Sequence, residues 1–444
     1  MLEKLGLKGE FSKNVVTLMA GTLAAQIFSV AVSPILSRLY TPADFGVLAL
    51  FTAINAIASV VAAARYETAI MLPKEDGDAL NIVALSVAIT LAVGVALLGA
   101  IFIFENAIFT ELNTRMVGKW VYFLPISVVL SSANQIMIYW NNRGKRFHDL
   151  AVNRTVQAAS TGITQCSAGY VSSGAGGLVA GCVVGQLLSL ITLTRSNMAS
   201  IAVSRSAVCI EGIKLNAKKY RRFPLFSVWG ALFDSGASQM PLFIIASFFS
   251  ASITGLFSFT LKVLSLPLFL ISSAIAQVLY QKITELDHEA PAVLRHFIIR
   301  VFLLLGCIAF LFCLFFMSFG VETFSFVFGK EWTRAGEFAG PLSIAAGVRF
   351  MVSPLSVVMN LNHNVKKAVG WQVVYFFTLT AVLLACSQQS IDFFLQVFVI
   401  HEVVLFSAYF AVIIWATYHK HEKLPDDTNS PAAGAAAVNS ASAE

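Results

Sequence analysis

Twelve runs of mainly apolar residues, each long enough to cross a bilayer, constrain this chain more than any other feature. They lie at about 14–37, 45–72, 79–104, 117–140, 149–170, 176–195, 224–249, 253–280, 296–319, 337–360, 368–386 and 391–418. A helix needs about 20 apolar residues to span the hydrocarbon core of a membrane. The expectation is therefore an all-α integral membrane protein of about 12 transmembrane helices. These runs use most of the 444 residues and leave outer loops of about 12 to 17 residues at most, so no large catalytic domain can stand outside the membrane. Only 12% of the residues are charged, against about 25% in ordinary soluble domains.

Charge placement orients the spans, because short cytoplasmic loops collect Lys and Arg. With the N-terminus inside, 22 of the 30 basic residues fall on the cytoplasmic side, seven of them between Arg195 and Arg222. Five fall outside: Arg38, Arg115, Lys119, Lys330 and Arg334. Both termini are thus expected in the cytoplasm. The first run, which follows Lys4, Lys8 and Lys13, is too long for the core of a signal peptide and reads as an uncleaved span. The net charge of +6 belongs to a basic inner face meeting membrane lipid. Nucleic acid is not expected as a partner, since no basic patch is interleaved with stacking aromatics.

A repeat at an offset of 209 residues lays Arg38–Phe51 over Ser247–Thr260, matching Thr41 with Ser250 and Gly46 with Gly255. Each copy reads as a tight outer turn between the first two spans of a half. A second echo sets Trp120–Ser127 against the region of Pro341. Six spans per half is an even number, so the halves should be parallel repeats about an axis along the membrane normal, with a site at their interface. The expected organisation is an N-lobe of helices 1–6 over 1–200, a basic cytoplasmic linker over 201–222, a C-lobe of helices 7–12 over 223–418, and a disordered tail over 419–444.

Signals of catalysis fail one by one. His401-Glu402-Val-Val-Leu405 lacks the second histidine of H-E-x-x-H, and no G-x-x-x-x-G-K-[ST] loop occurs. Gly174–Gly177 is a turn between spans, Asp426–Asp427 a solvated acidic patch, and the six cysteines include no C-x-x-C pair. No catalytic residue, metal site or enzyme activity is expected. What remains is charge at membrane depth, which costs roughly 2.5–3.5 kcal/mol per group and usually faces a partner or a cavity. Asp234, Arg349 and Glu402 fall near mid-span, with His401 beside Glu402. Lys262 lies in the outer third of its span, and Arg65 and Glu67 lie near the inner end of theirs. The first half carries amides at mid-depth instead: Gln26, Asn55, Asn134, Gln135 and Gln157.

Two readings of this set stay open. Either Asp234 or Glu402 neutralises Lys262 or Arg349 in a buried pair, or the cations line a hydrated cavity and hold an anionic headgroup while a carboxylate takes H+ or Na+. Arg65 with Glu67 reads as an interfacial anchor pair or as part of a gate. The candidates are Arg349, Lys262 and Arg65 for substrate and Asp234 and Glu402 for ion coupling. Pro34, Pro125, Pro267 and Pro354 permit bending of their spans.

Several stretches within residues 10–418 together resemble the Wzx-type polysaccharide flippases of the multidrug/oligosaccharidyl-lipid/polysaccharide exporter superfamily. They include Leu36-Ser-Arg-Leu-Tyr-Thr-Pro-Ala-Asp-Phe-Gly46, Arg65-Tyr-Glu-Thr-Ala-Ile-Met-Leu-Pro73, Lys219-Tyr-Arg-Arg-Phe-Pro224, Phe328-Gly-Lys-Glu-Trp332 and Arg349-Phe-Met-Val-Ser-Pro354. The resemblance implies a V-shaped, monomeric pair of six-helix lobes in a bacterial inner membrane. By alternating access it would move undecaprenyl-diphosphate-linked oligosaccharide for O-antigen, capsule or exopolysaccharide synthesis, beside a polysaccharide polymerase and a chain-length regulator. It implies no cofactor beyond H+ or Na+ coupling. Arg349 and Lys262 are the cations expected to meet the diphosphate, the arginine because its fork binds phosphate bidentately. Asp234 departs from the family pattern, where an amide such as Asn is expected. The rivals are a cation-coupled multidrug or metabolite antiporter, leaning on Asp234 and Glu402, and a membrane glycosyltransferase, polymerase or ligase, which would carry a large outer loop.

Overall fold

The computed structural model describes residues 10–104, 118–171, 174–204, 207–286, 291–360 and 365–418. The expectations for the head before residue 10, for Arg115 and for the tail from 419 fall outside the described residues. In chain order the helices are α1 (Glu10–Leu39), α2 (Pro42–Ala62), α3 (Asp76–Ile103), α4 (Leu124–Arg143), α5 (Phe147–Val171) and α6 (Ala175–Ser204). After a short α7 (Ile210–Lys219) come α8 (Val228–Phe248), α9 (Ala251–Leu286), α10 (Pro291–Phe328), α11 (Thr333–Val352), α12 (Val365–Ala385) and α13 (Ile391–Tyr418). Among the described residues twelve helices thus have 20 residues or more, and nine stretches are long and apolar enough to cross a membrane by length and composition. The fold is the all-α membrane architecture that the apolar runs predicted. We call the face carrying α7 the linker side and the face carrying the α1–α2 and α8–α9 turns the turn side.

The sequence repeat is visible in the caps. At the start of α2 the Thr41 hydroxyl accepts from the Asp44 backbone N–H while the Asp44 carboxylate accepts from the Thr41 N–H, with Pro42 in the first helical turn. Ser250, the repeat partner of Thr41, accepts from the Ile253 N–H at 3.3 Å and so caps α9 in the same way. Packing repeats too: α1 lies on α5 as α8 lies on α12, α3 on α4 as α10 on α11, and α4 on α6 as α11 on α13.

The two halves join on the turn side through α2 and α9. A Cβ on Gly46 would overlap the carbonyl oxygen of Ala251, and one on Gly255 would overlap that of Pro42. Pro42 and Ala251 are themselves repeat partners, so the crossing is reciprocal, as in a two-fold interface, and only glycine lets the backbones approach so closely. Around it Phe45 stands edge-on to Phe259 and to Trp332, each at 5.1 Å. The fully buried Trp332 donates its indole N–H to the Ser37 carbonyl at 3.0 Å. The symmetry is imperfect: α2 packs along α8, whereas the equivalent pair, α1 and α9, barely touches. A gap therefore runs between α1 and α9.

Several boundaries differ from those read in the sequence, and three regions show why. The second span stops at Ala62, not near residue 72, because Ala64 and Arg65 adopt left-handed backbone (φ 49° and 60°) before a 3₁₀ turn over Tyr66–Met71. The tenth stops at Val352, where Pro354 lacks the N–H a continuing helix would need and a 3₁₀ segment, Ser353–Asn360, follows. In the stretch expected as a linker, α7 is bound to α3. The Asn81 side chain accepts from the Cys209 N–H at 3.1 Å and donates to the Ala207 carbonyl at 3.0 Å, while Asn216 donates to Asp78 at 3.3 Å.

Candidate functional site

Polar residues on α5 recur at helical spacing, with Arg154, Gln157, Thr161 and Gln165 on one face, and Thr22, Gln26 and Ser29 do the same on α1. α6 draws α5 close because Gly181 and Gly185 present no side chain: a Cβ there would run into Gln165 and Thr161. With Thr52 of α2 and Ser258 and Lys262 of α9, these groups line a cavity of about 680 Å³ between the halves. Leu36, Phe45 and Phe259 close it toward the turn side. Toward the linker side lies the exposed Arg154, whose guanidinium donates to the Thr22 hydroxyl. The Gln165 side chain donates to the Leu178 carbonyl at 2.9 Å, and the Gln165 backbone carbonyl accepts from the Tyr40 hydroxyl at 2.7 Å.

The electrostatics of this cavity are one-sided. Arg154 and Lys262 are its two charged lining residues, and every other lining group is neutral. Neither cation forms an ion pair among the described residues. Lys262 is exposed to the cavity, one helical turn from Phe259 in the seal.

Deeper in the second half, charges are disposed differently. Glu402 of α13 is completely buried and accepts from the guanidinium of Arg349 on α11 and, at 2.5 Å, from the Tyr375 hydroxyl on α12. Arg349 also donates to the Tyr375 oxygen at 2.5 Å, so the three side chains form a closed triangle that ties α11, α12 and α13 together. The guanidinium lies 5.5 Å from the Phe406 ring centre, and the His401 ring nitrogen Nε2 pairs with the Thr378 hydroxyl at 3.2 Å. Asp234, on α8, is exposed and, among the described residues, meets the Gln372 amide alone, at 3.4 Å.

Of the residues singled out in the sequence, Lys262 lines the cavity, and Arg349, Glu402, Asp234 and Arg65 do not. Arg65 pairs with Glu67 at 3.5 Å beyond the linker-side end of α2. Burial pushes the Glu67 carboxyl above its ordinary range, against its own backbone hydrogen bond and the Arg65 charge, which pull it down. The amides divide as well. Gln26 and Gln157 reach the cavity, but Asn134 is consumed by the Gln186 carbonyl at 2.8 Å and the Ser189 hydroxyl at 2.7 Å, and Asn55 donates to Ser131 at 3.0 Å. Arg154, one of the 22 basic residues counted on the cytoplasmic side, sits two turns inside α5. The polar stripe running from it to Gln165 is the sequence signal that marks it. Among the described residues no cluster of His, Cys, Asp or Glu could hold a metal ion.

A family described as "Polysaccharide biosynthesis protein" matches residues 35–337. No curated protein sequence matches the chain. Solved structures similar to it include a multidrug resistance MATE family transporter of the MOP superfamily in its inward-facing conformation, at 12% identity and a TM-score of 0.59, covering 92% of this chain and 95% of that one. The outward-facing conformation of such a transporter gives the same score at 11% identity, with the same coverage. A MOP superfamily transporter from Pyrococcus furiosus, described as having reversed binding-pocket polarity that suggests a different function, aligns at 12% identity with a TM-score of 0.53, again over 92% and 95% of the two chains. At these identities the likeness is one of fold: two lobes of membrane helices, as in MATE transporters.

Proposed function

We propose a function from one premise: the chain belongs to the polysaccharide biosynthesis protein family. It is a multi-pass membrane transporter or flippase, not an enzyme. Within that frame the substrate we assign is an undecaprenyl-diphosphate-linked oligosaccharide, moved between leaflets by alternating access for surface polysaccharide synthesis. The observation that carries the assignment is the cavity of Arg154 and Lys262, which sets two cations among amides and hydroxyls with no carboxylate on its wall. Each unpaired cation at membrane depth costs roughly 2.5–3.5 kcal/mol, a cost offset when an anion binds, since a charge-assisted hydrogen bond contributes about 1.5–3 kcal/mol. The amides and hydroxyls suit sugar hydroxyls.

Such a cavity answers the physical problem of the substrate. The idealised cost of moving one ion of carboxylate size from water into a medium of low dielectric is of order 20 kcal/mol, so a diphosphate needs a polar route, whereas its polyprenyl chain is at home in lipid. The gap between α1 and α9 lets the chain stay in the bilayer while the headgroup occupies the cavity. In this reading the linker side, with exposed Lys214, Lys218, Lys219, Arg221 and Arg222, is cytoplasmic, the membrane is the bacterial inner membrane, and the closed turn side with the open linker side is the loading state. Pocket polarity also separates functions elsewhere in this fold, as the description of the Pyrococcus furiosus transporter suggests.

We place ion coupling in the second half. Both oxygens of Glu402 are occupied, whereas Asp234 among the described residues has only an amide neighbour and is the carboxylate we assign to exchange of H+ or Na+. The test is transport of a fluorescent undecaprenyl-diphosphate oligosaccharide in proteoliposomes under imposed gradients. Gradient-driven flipping is expected, lost in Arg154→Gln/Lys262→Gln and made gradient-independent by Asp234→Asn. Export of organic cations with no flipping of the lipid-linked sugar would replace this reading with the antiporter.

A further inference from the structure

Two stretches quoted for the family resemblance, Leu36–Gly46 and Phe328–Trp332, come from opposite halves and meet on the turn side. Between them lies a second cavity, of about 260 Å³, that shares no lining residue with the first. Ser37 to Thr41 form one wall and Phe328 to Glu331 the other. α1 ends at Leu39 and α10 at Phe328, so this cavity sits where spans leave the hydrocarbon, at the level of lipid headgroups. Ile35, one turn beneath Leu39 on the same face of α1, is exposed and gives an apolar surface below the polar cleft.

Arg38, Lys330 and Glu331 are the charged lining residues, and every other lining group is neutral. All three are exposed, and none forms an ion pair among the described residues. Arg38 uses one guanidinium N–H on the Pro34 carbonyl of its own helix, at 2.8 Å, out of the five that a guanidinium carries. A plain anion would meet two cations but also a carboxylate that repels it. A ligand that carries a phosphate and an ammonium a few atoms apart satisfies all three groups by charge-assisted hydrogen bonds. We propose that this cavity binds the phosphoethanolamine headgroup of a zwitterionic phospholipid from the leaflet facing the turn side. Arg38 and Lys330 hold the phosphate, Glu331 accepts from the ammonium, and an acyl chain lies over Ile35. Phosphatidylcholine has the same phosphate, but its quaternary ammonium has no N–H to give Glu331. The aromatic rings at the cleft, Tyr40 and Phe328, are buried and offer no open cage for such a cation.

The position gives binding a consequence. Arg38 follows Ser37, and Lys330 and Glu331 precede Trp332, and the bond from the Trp332 indole to the Ser37 carbonyl ties the halves together. Opening the turn side breaks that bond and parts the two walls. A headgroup bridging them therefore favours the closed state, because a ligand shifts an equilibrium by its differential affinity for the two states.

The experiment titrates the full-length protein in detergent with dioleoyl phosphatidylethanolamine, phosphatidylcholine and phosphatidylglycerol, with bound lipid counted by native mass spectrometry. The wild type is expected to bind phosphatidylethanolamine about tenfold more tightly than either of the others. Glu331→Gln should bring its ratio to phosphatidylcholine close to one, and Arg38→Gln/Lys330→Gln should weaken phosphatidylethanolamine by about tenfold or more. Spin-label distances across the turn side, in nanodiscs, should show a closed-to-open ratio about tenfold higher with phosphatidylethanolamine than with phosphatidylcholine, a difference absent in Glu331→Gln. A wild-type ratio near one, or a preference that survives Glu331→Gln, overturns the proposal. Phosphatidylglycerol binding as tightly as phosphatidylethanolamine overturns it too, since the site would then be one for anions. Soluble glycerophosphoethanolamine competing as well as the lipid would overturn the lipid assignment, and binding without a change in the closed population would overturn the clamp. Neither measurement involves the transported substrate, so these outcomes leave the flippase reading where it stands.

Discussion

The cavity between the halves and the α11–α13 triangle inside the second half use their charges in opposite ways. In the second half Arg349, Glu402 and Tyr375 satisfy one another and tie three helices into a unit. In the cavity, Arg154 of the first half donates to a threonine hydroxyl and, with Lys262 of the second, faces amides and hydroxyls. Both arrangements obey the rule that charge at membrane depth needs a partner or water. The contrast shows that the partner's origin decides the role: a cation paired within the chain holds the lobe, and a cation left unpaired awaits a ligand.

The largest effect should come from the unpaired side. Arg154→Gln together with Lys262→Gln removes two charge-assisted contacts of about 1.5–3 kcal/mol each and should lower surface glycan or reconstituted flipping more than a hundredfold, with protein abundance unchanged. Loss of abundance in that variant would erase the contrast. Arg349→Ala should do the reverse, because it leaves the fully buried Glu402 carboxylate without its cation. We expect a loss of roughly 2–4 kcal/mol, somewhat discounted because Arg349 is itself partly exposed. It should be read as reduced abundance and melting temperature, and adding Glu402→Gln should restore most of both. Flipping per folded molecule should change only a few-fold.

The reciprocal crossing gives a third, smaller effect. Gly255→Ala puts a methyl group against the Pro42 carbonyl, and overpacking of this kind costs typically 1–3 kcal/mol. The cost applies only while the turn side is closed. Pair distances from spin labels across that side should therefore shift toward the open form by about tenfold or more in population. The smallest effect concerns Glu67, whose folded-state carboxyl titrates above its unfolded value. The folded protein then holds the extra proton, so stability is greatest in acid and falls as pH rises from about 4.3, the unfolded value, through the raised folded one. Thermal melts from pH 4 upward should show this slope in the wild type and lose it in Glu67→Gln.

Much of the architecture was legible because hydropathy reports lipid contact directly, and the 209-residue repeat located both caps and both crossing glycines. Arg154 was not legible, because a charge count treats every cation near a span end as loop and ignores which face of the helix it shares. Reading the period-3.6 stripe from Arg154 to Gln165 recovers it. The Arg349–Glu402 pair was one of two readings the sequence left open: whether Arg349 reaches a carboxylate or a cavity depends on how α11 and α13 are rotated, and apolar runs without a strong polar face leave that rotation open. The early end of α2 was hidden for a related reason, since the left-handed residues Ala64 and Arg65 are not glycines and give no turn signal.

The central claim, that the unpaired cavity cations, Arg154 of the first half and Lys262 of the second, hold the substrate while the paired Arg349 holds its lobe, is tested most directly by equilibrium binding. Detergent-purified wild type, Arg154→Gln and Arg349→Lys would be titrated with an undecaprenyl-diphosphate-linked sugar and with the same sugar on uncharged undecaprenol. The expected result is a preference for the diphosphate of at least a hundredfold in the wild type, kept in Arg349→Lys and largely lost in Arg154→Gln. A preference that survives in Arg154→Gln and disappears in Arg349→Lys would contradict the account and move the headgroup to the α11–α13 triangle.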